Sequence, residues 1–269
     1  MLFTKTTALA PWIALCSALA GCAGPDRDSA RQNEVDINNA KPLSEAPDIV
    51  RVSTVKMERT EANGLASCSG TIVANNRVLT ARHCVIAGEP LRHSVLLNSG
   101  VRVGVFAIRT HPTADLAVLS LADDVSRVSA QAIAPIHVGG TISPGTRVVV
   151  AGFGITSINA QDVSDQVRFG KLKFSDFVGN YSLLSPDGPS VACSSGLGFD
   201  PEACIGTDPA CSNVCPGDSG GPVYQFRPDS GWGVLAVNSG ASCDAAKPVG
   251  GFSMIAADAR TLRNWVLNE

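Results

Sequence analysis

The chain has 269 residues, 45% of them hydrophobic, which is enough for one large domain or two small ones around a sizeable core. Its formal net charge is −3 and its pI about 5.8. With no basic run and no aromatic-basic patch, nucleic acid is excluded as an expected partner. The 26 glycines and 16 prolines among short β-branched runs point to an all-β protein rich in turns, without a repeat of fixed period.

In chain order, the first segment reads as a secretory signal. Met1–Thr7 carries one lysine and no acid, and the apolar run from Ala8 to Ala20 is too short to span a bilayer and is broken by Pro11. Leu19-Ala20-Gly21-Cys22 resembles the bacterial lipobox, which implies cleavage before Cys22 and acylation of that cysteine. Ordinary cleavage after Ala18-Leu19-Ala20 fits as well. Several acyl chains on one cysteine anchor stably where a single chain binds only marginally. By the same resemblance, Ala23 rather than Asp after the cysteine implies sorting to the outer membrane. The expectation is an exported, lipid-anchored protein whose body is held on or released from the membrane surface. Residues 22–47 are polar and interrupted by Pro25, Pro42 and Pro47, as in a flexible tether or propeptide.

Export puts the chain where disulfides persist. Without Cys16, lost with the signal, and Cys22, seven of the nine cysteines remain: 68, 84, 193, 204, 211, 215 and 243. The number is odd, so at least one is free or pairs between chains. Cys211 and Cys215 also have the spacing of a zinc pair, but an oxidising compartment favours disulfides.

From Asp48 the pattern changes to strands. IVRVSTV is short and β-rich, and CSGTIVANNRVLTA is two apolar runs joined by the turn signal Asn75-Asn76. VLLNSG, VRVGVFAI and LAVLSL follow, then a polar connection from Ala122 to about Ile136. TRVVVAGFG opens a second set with VRFGKLKF, GPVYQF, GVLAVNSG and GGFSMI. From Ala256 to Leu267, Ala259, Leu262 and Trp265 or Val266 fall at helical spacing, which predicts a terminal helix.

The densest chemistry is CPGDSGGP, Cys215 to Pro222. Three glycines there require a backbone that bends sharply or approaches another group, and Ser219 sits in the bend. A serine nucleophile needs a base. Of the four histidines, His83 in LTARHCV ends an apolar strand beside a cysteine; His93, His111 and His137 lack such staging.

With these motifs in view, the chain from about Asp48 to Glu269 resembles the chymotrypsin-like (trypsin-like) serine peptidases. TARHC stands where that family has a TAAHC-type motif, and HPTADLAVLSL resembles its segment with the buried aspartate, here Asp115. AGFG at 151–154 is similar to its GWG strand, and PGDSGGP to its nucleophile loop. VNSGASC and GGFSMI resemble the walls of its specificity pocket. The order His, Asp, Ser differs from that of subtilisin and the α/β-hydrolases.

The resemblance implies two six-stranded antiparallel Greek-key barrels with the site in the cleft between them. Barrel one would span about 48–121, a connection 122–144, barrel two 145–254 and a C-terminal helix 255–267. It implies a serine endopeptidase acting on proteins or peptides without metal or cofactor. Ser219 would be the nucleophile, His83 the base and Asp115 its orienting acid, with the N–H groups of Gly217 and Ser219 as the oxyanion hole. A catalytically silent binding module on the same fold and an esterase are the alternatives. Asp218 would pair with an activation-linked amine. Disulfides Cys68–Cys84, Cys215–Cys243 and Cys193–Cys204 are implied, leaving Cys211 over.

The specificity pocket falls to Asn213, Gly240 and Gly250, whose neutrality and small size imply preference for a bulky neutral residue, unless Asp208 or Asp244 reaches in. Three departures stand out. Arg82 replaces a small residue and reads as a solvated cation. Asn238 and Ser239 replace the Ser-Trp pair that supports the aspartate and the bound peptide. No IVGG-type activation sequence is present. Residues 35–39, VDINN, loosely resemble the bacterial form, and Ile49-Val50 reads as part of the first strand. Either a cut falls near Val35 to Ile37, or Asp218 has another partner, or the enzyme is intrinsically active.

Overall fold

Chain extension follows the β-branched residues, which pack well on a pleated, half-buried surface. The structure, a computed structural model, describes residues 46–128, 132–137, 142–154, 163–178, 181–186, 217–243, 252–258 and 263–267. Six strands form the first half: β1 (Thr54–Glu61), β2 (Gly64–Ala74), β3 (Arg77–Thr80), β4 (His93–Leu96), β5 (Arg102–Thr110) and β6 (Ala117–Leu121). Six more follow: β7 (Arg147–Gly152), β8 (Arg168–Val178), β9 (Tyr181–Pro186), β10 (Pro222–Arg227), β11 (Gly231–Cys243) and β12 (Phe252–Asp258). Short helices α1 (Asp48–Ser53), α2 (Val125–Val128) and α3 (Arg263–Leu267) complete the described elements.

Each set of six closes into a barrel, in the orders β1-β2-β3-β6-β5-β4 and β10-β11-β12-β9-β8-β7. Read from β7, the second order is the first repeated, so the chain carries a repeat in topology that its sequence does not display. The step from third to sixth strand gives the expected Greek key. All strand pairs are antiparallel, and the Asn75-Asn76 turn joins β2 to β3 as its residues require.

The continuous apolar run of β7 follows from burial on both faces, because successive side chains point to opposite sides of a strand. Val148 and Val150 enter one core cluster with Leu172, Phe174, Val223 and Leu235. Val149 and Ala151 enter the other, larger cluster, which also takes Val55, Met57, Ile72 and Leu79 of barrel one. The second cluster therefore joins the barrels. Within it Tyr224 of β10 is fully buried. Its hydroxyl lies 2.6 Å from Ser53 Oγ, 3.0 Å from Thr71 Oγ1 and 3.2 Å from Thr54 Oγ1. Burial raises its phenol pKa, against the opposing pull of these hydrogen bonds.

Three local expectations are corrected. Asp48–Ser53 is not strand but a helical turn. Pro47 precedes it, the N–H of Val50 bonds the Pro47 carbonyl at 2.9 Å, and Val50 and Ser53, three apart, share the buried face. The strand begins only at Thr54. At the other end, residues 256–258 continue β12 and pair with β11 and β9, so the terminal helix is the five-residue α3. Its last carbonyls accept hydrogen bonds from Arg109 to Val266, at 3.3 Å, and from Arg77 to Leu267. Strand β9, YSLLSP, has no counterpart among the predicted strands.

Candidate active site

The site is assembled from ends of strands. His83 lies in a single 3-10 turn, Arg82–Cys84, where β3 stops at buried Ala81. A disulfide from Cys84 to Cys68 on β2, with the Cα atoms 6.1 Å apart, ties this turn to the barrel wall. This is the one implied disulfide whose cysteine side chains both lie among the described residues. Cys193, Cys204, Cys211 and Cys215 lie outside them, as do Cys22, Asn213 and Gly250.

Asp115 sits in the loop before β6 between the fully buried Ala114 and Leu116. Both of its oxygens engage His83. Oδ1 accepts the His83 backbone N–H at 2.9 Å, and Oδ2 lies 2.7 Å from Nδ1 of the ring. Burial alone would raise the Asp115 pKa, but hydrogen bonds from His83 and Ser239 outweigh it and hold the carboxyl below its usual range. An ionised Asp115 fixes the proton on Nδ1 and leaves the Nε2 lone pair free.

Ser239, one of the two residues that replace the supporting Ser-Trp pair, itself supports the aspartate: its hydroxyl donates to Asp115 Oδ2 at 2.6 Å. The cause is a β-bulge in β11. Asn238 pairs with Ala256 and Gly240 with Ile255, so Ser239 is the extra residue between them. A bulge re-aims a side chain. Arg82, read from sequence as a solvated cation, donates from Nη1 to the carbonyls of His111 and Pro112, at 3.2 and 3.0 Å, and so grips the Asp115 loop. His111 steadies the same loop, its Nδ1 accepting the Ala114 N–H at 2.9 Å while its ring meets Trp265 of α3 edge-on. His93 and His137 are buried, with Nδ1 of His93 at 2.9 Å from the Glu89 carbonyl and Nε2 of His137 at 2.8 Å from that of Gln225.

Ser219 comes from the loop before β10 and lines, with His83, Gly217 and the Cys68–Cys84 disulfide, one cavity of about 220 Å³. No hydrogen bond joins its hydroxyl to His83 among the described residues; such bonds commonly tighten only when substrate binds. The loop is pressed against both barrels. Gly220 has φ +81°, and a Cβ there would meet Thr80 Oγ1 at 2.1 Å and the Ser69 carbonyl at 2.3 Å. Gly217 has φ +96°, a conformation side chains disfavour.

Ser69 of β2, which sequence reasoning passed over inside CSG, stitches the loop to barrel one. Its N–H donates to the Ser219 carbonyl at 2.7 Å and its hydroxyl to the Gly217 carbonyl at 2.8 Å, while that hydroxyl accepts the Phe153 N–H at 2.9 Å. Asp218 is buried, and Gly154 N–H is one of its partners, at 2.8 Å from Oδ1. The glycines of AGFG make room for it, since a Cβ on Gly154 would come within 2.6 Å of the carboxylate.

Donor atoms of Cys68, His83 and Cys84 lie within 4.8 Å of one another. Both sulfurs are committed to the disulfide, so only one imidazole remains, fewer ligands than a metal needs.

A family model described as Trypsin matches residues 44–266. The chain belongs to the trypsin family of serine peptidases. Similar proteins carry the same kind of name. Chymotrypsin-like elastase family member 1 of Rattus norvegicus is 29% identical over 71% of this chain and 75% of its own. Trypsin Blo t 3 of Blomia tropicalis is 26% identical over 90% and 93%. An uncharacterized peptidase of Corynebacterium glutamicum is 28% identical over 81% and 67%. The two barrels are thus those of the trypsin family, whose named relatives include peptidases.

Proposed function

We propose that this trypsin-family protein is a serine endopeptidase that works through an acyl-enzyme on Ser219. The observation that carries the reading is the double engagement of His83 by Asp115 at the rim of the cavity that Ser219 shares. In this mechanism Ser219 Oγ attacks the scissile carbonyl while its proton passes to Nε2 of His83. The developing oxyanion is met by the N–H groups of Gly217 and Ser219. His83 then gives its proton to the leaving nitrogen, the C–N bond breaks and the amine departs. Water attacks the acyl carbon, His83 takes its proton, and the acid product leaves Ser219 with its hydroxyl restored. Asp115 keeps the ring in the required tautomer and stabilises it when charged, and Ser239 and Arg82 hold Asp115 and its loop.

The test is covalent labelling by a fluorophosphonate together with casein turnover. Labelling that disappears in Ser219→Ala, with casein cleaved by the parent protein, supports the reading. Absence of labelling would mean a silent binding module, and labelling with ester but no casein turnover an esterase.

The finer parts of the proposal rest on sequence. Cleavage is directed after a bulky neutral residue by Asn213, Gly240 and Gly250. A chromogenic panel cleaved after arginine but not after phenylalanine or leucine would refute this. Export and outer-membrane anchoring rest on the segment ending at Cys22, and mass analysis of the mature N-terminus checks both.

A further inference from the structure

The cavity beside Ser219 extends away from the chemistry, along barrel one. Met57 of β1 and Ala66 of β2 line it, and so does Arg59, two residues along β1 from Met57 on the same face. Among the described residues Arg59 makes three hydrogen bonds. Nε, at 3.0 Å, and Nη2 go to Glu61 Oε1, and Nη1 goes to the His83 carbonyl at 3.3 Å. A guanidinium has five N–H donors, so two remain. Among the described lining residues Arg59 and His83 are the only ionisable side chains, the cysteines being bridged, and no carboxylate faces the cavity. Such a wall favours an anion.

Which part of a substrate reaches it follows from the mechanism. His83 must touch the leaving nitrogen to protonate it, and the cavity that His83 lines is shared with Cys84 and Arg59. The other half of the substrate has a different wall. Past the Pro222–Val237 pair, β11 keeps β12 on one edge and has no strand on the other among the described residues. That free edge suits an added peptide strand. No residue of β11 is among the described residues that line the cavity.

Resting on the hydrolytic reading above, we infer that Arg59 is a specificity-determining residue for the leaving side of the substrate, selecting an acidic side chain within the first two residues after the cleaved bond. Its two remaining N–H groups meet that carboxylate. Glu61 limits the selection, because it already neutralises part of the charge. The bond to the His83 carbonyl holds the guanidinium at a fixed distance from the chemistry, which is why the preference belongs to those near positions.

The experiment uses the active protein and peptides that differ only in Asp, Leu or Lys at the first, or in a second set the second, position after the cleaved bond. The expected kcat/KM is about 3- to 10-fold higher for Asp than for Lys at one of these positions. Arg59→Gln should bring that ratio towards one, Arg59→Glu should invert it, and Glu61→Gln should widen it. Equal rates for the three peptides at both positions in the unaltered protein overturn the inference without recourse to any variant. So does an Asp preference that survives in Arg59→Gln. Nitroanilides with the same acyl half and no leaving-side residues separate the two readings. If they are turned over while the peptides show no charge preference, the role of Arg59 falls alone. If neither is turned over and Ser219 stays unlabelled, the hydrolytic reading falls and takes this one with it.

Discussion

Barrel one and barrel two share a strand order and hold their parts of the site by different means. In barrel one the contacts are made by side chains. Asp115 reaches His83, Arg82 reaches the carbonyls of the aspartate loop, and Ser239 arrives from across the cleft to bind the same carboxylate. The loop from barrel two is held mostly through its own backbone and by close approach: its Ser219 and Gly217 carbonyls accept the N–H and the hydroxyl of Ser69, the Gly220 N–H bonds the Asn238 carbonyl at 2.7 Å, Asp218 adds a side-chain bond to Gly154, and its glycines leave no room for a Cβ. Hydrogen-bonded side chains can be removed one at a time, with losses that differ by partner. A loop fixed by close approach has no such gradation, because one added methyl displaces the whole turn. The Asp115–His83 pair is thus tunable, and the Ser219 loop is a matter of shape.

The largest expected effect tests the first half of that contrast. Asp115→Asn keeps the space and reverses the hydrogen-bonding polarity towards Nδ1. A loss of about 10⁴ in kcat on a chromogenic peptide is expected, with melting little changed. A loss below tenfold would mean that Asp115 does not orient the ring. Gly220→Ala probes the second half. With φ +81° and contacts of 2.1 and 2.3 Å in the way, it should destabilise by about 3 kcal/mol in urea unfolding and abolish most labelling of Ser219. A variant as stable and as readily labelled as the parent would contradict the shape argument. Ser239→Ala removes one hydrogen bond to a charged acceptor, worth about 1.5 kcal/mol, so a rate loss near tenfold is expected, sparing the fold.

The smallest effect is a pH slope. Burial depresses the pKa of His93, with the charges of Arg59 and Arg92 acting the same way against its hydrogen bonds to backbone carbonyls. The unfolded chain takes up a proton near pH 6.5 that the folded chain refuses, so stability falls as pH drops below about 6.5. His93→Gln should reduce the dependence of the melting temperature across that window, leaving the part that comes from His111, which burial and then the Arg82 charge also depress. Asp115, also depressed, adds its loss only as pH falls below about 4.

Much of this architecture is legible in the residues. β-branched runs mark eleven of the strands, and the Asn75-Asn76 turn needs no tertiary help. What escapes is whatever a neighbour decides. In IVRVSTV the propensity is for strand, but Pro47 and the need to bury Val50 and Ser53 together impose a turn of helix first. YSLLSP carries too little alternation to be read as a strand, and its place is set by β8 and β12 on either side. The Ser239 hydroxyl reaches Asp115 only because a one-residue bulge re-aims it, and an offset of one leaves no trace in composition or period. For the same reason Arg82 looks like a surface charge until the His111 and Pro112 carbonyls come within its reach.

The Tyr224 hydroxyl has a consequence for how such a molecule can change over time. Apolar faces glide past one another at little penalty, since dispersion has no preferred direction, but an oxygen shared among Ser53, Thr54 and Thr71 accepts a single alignment. The two halves are therefore keyed, and a chimaera that grafts one half onto a foreign other half should need this tyrosine and its three hydroxyl hosts to travel as a set.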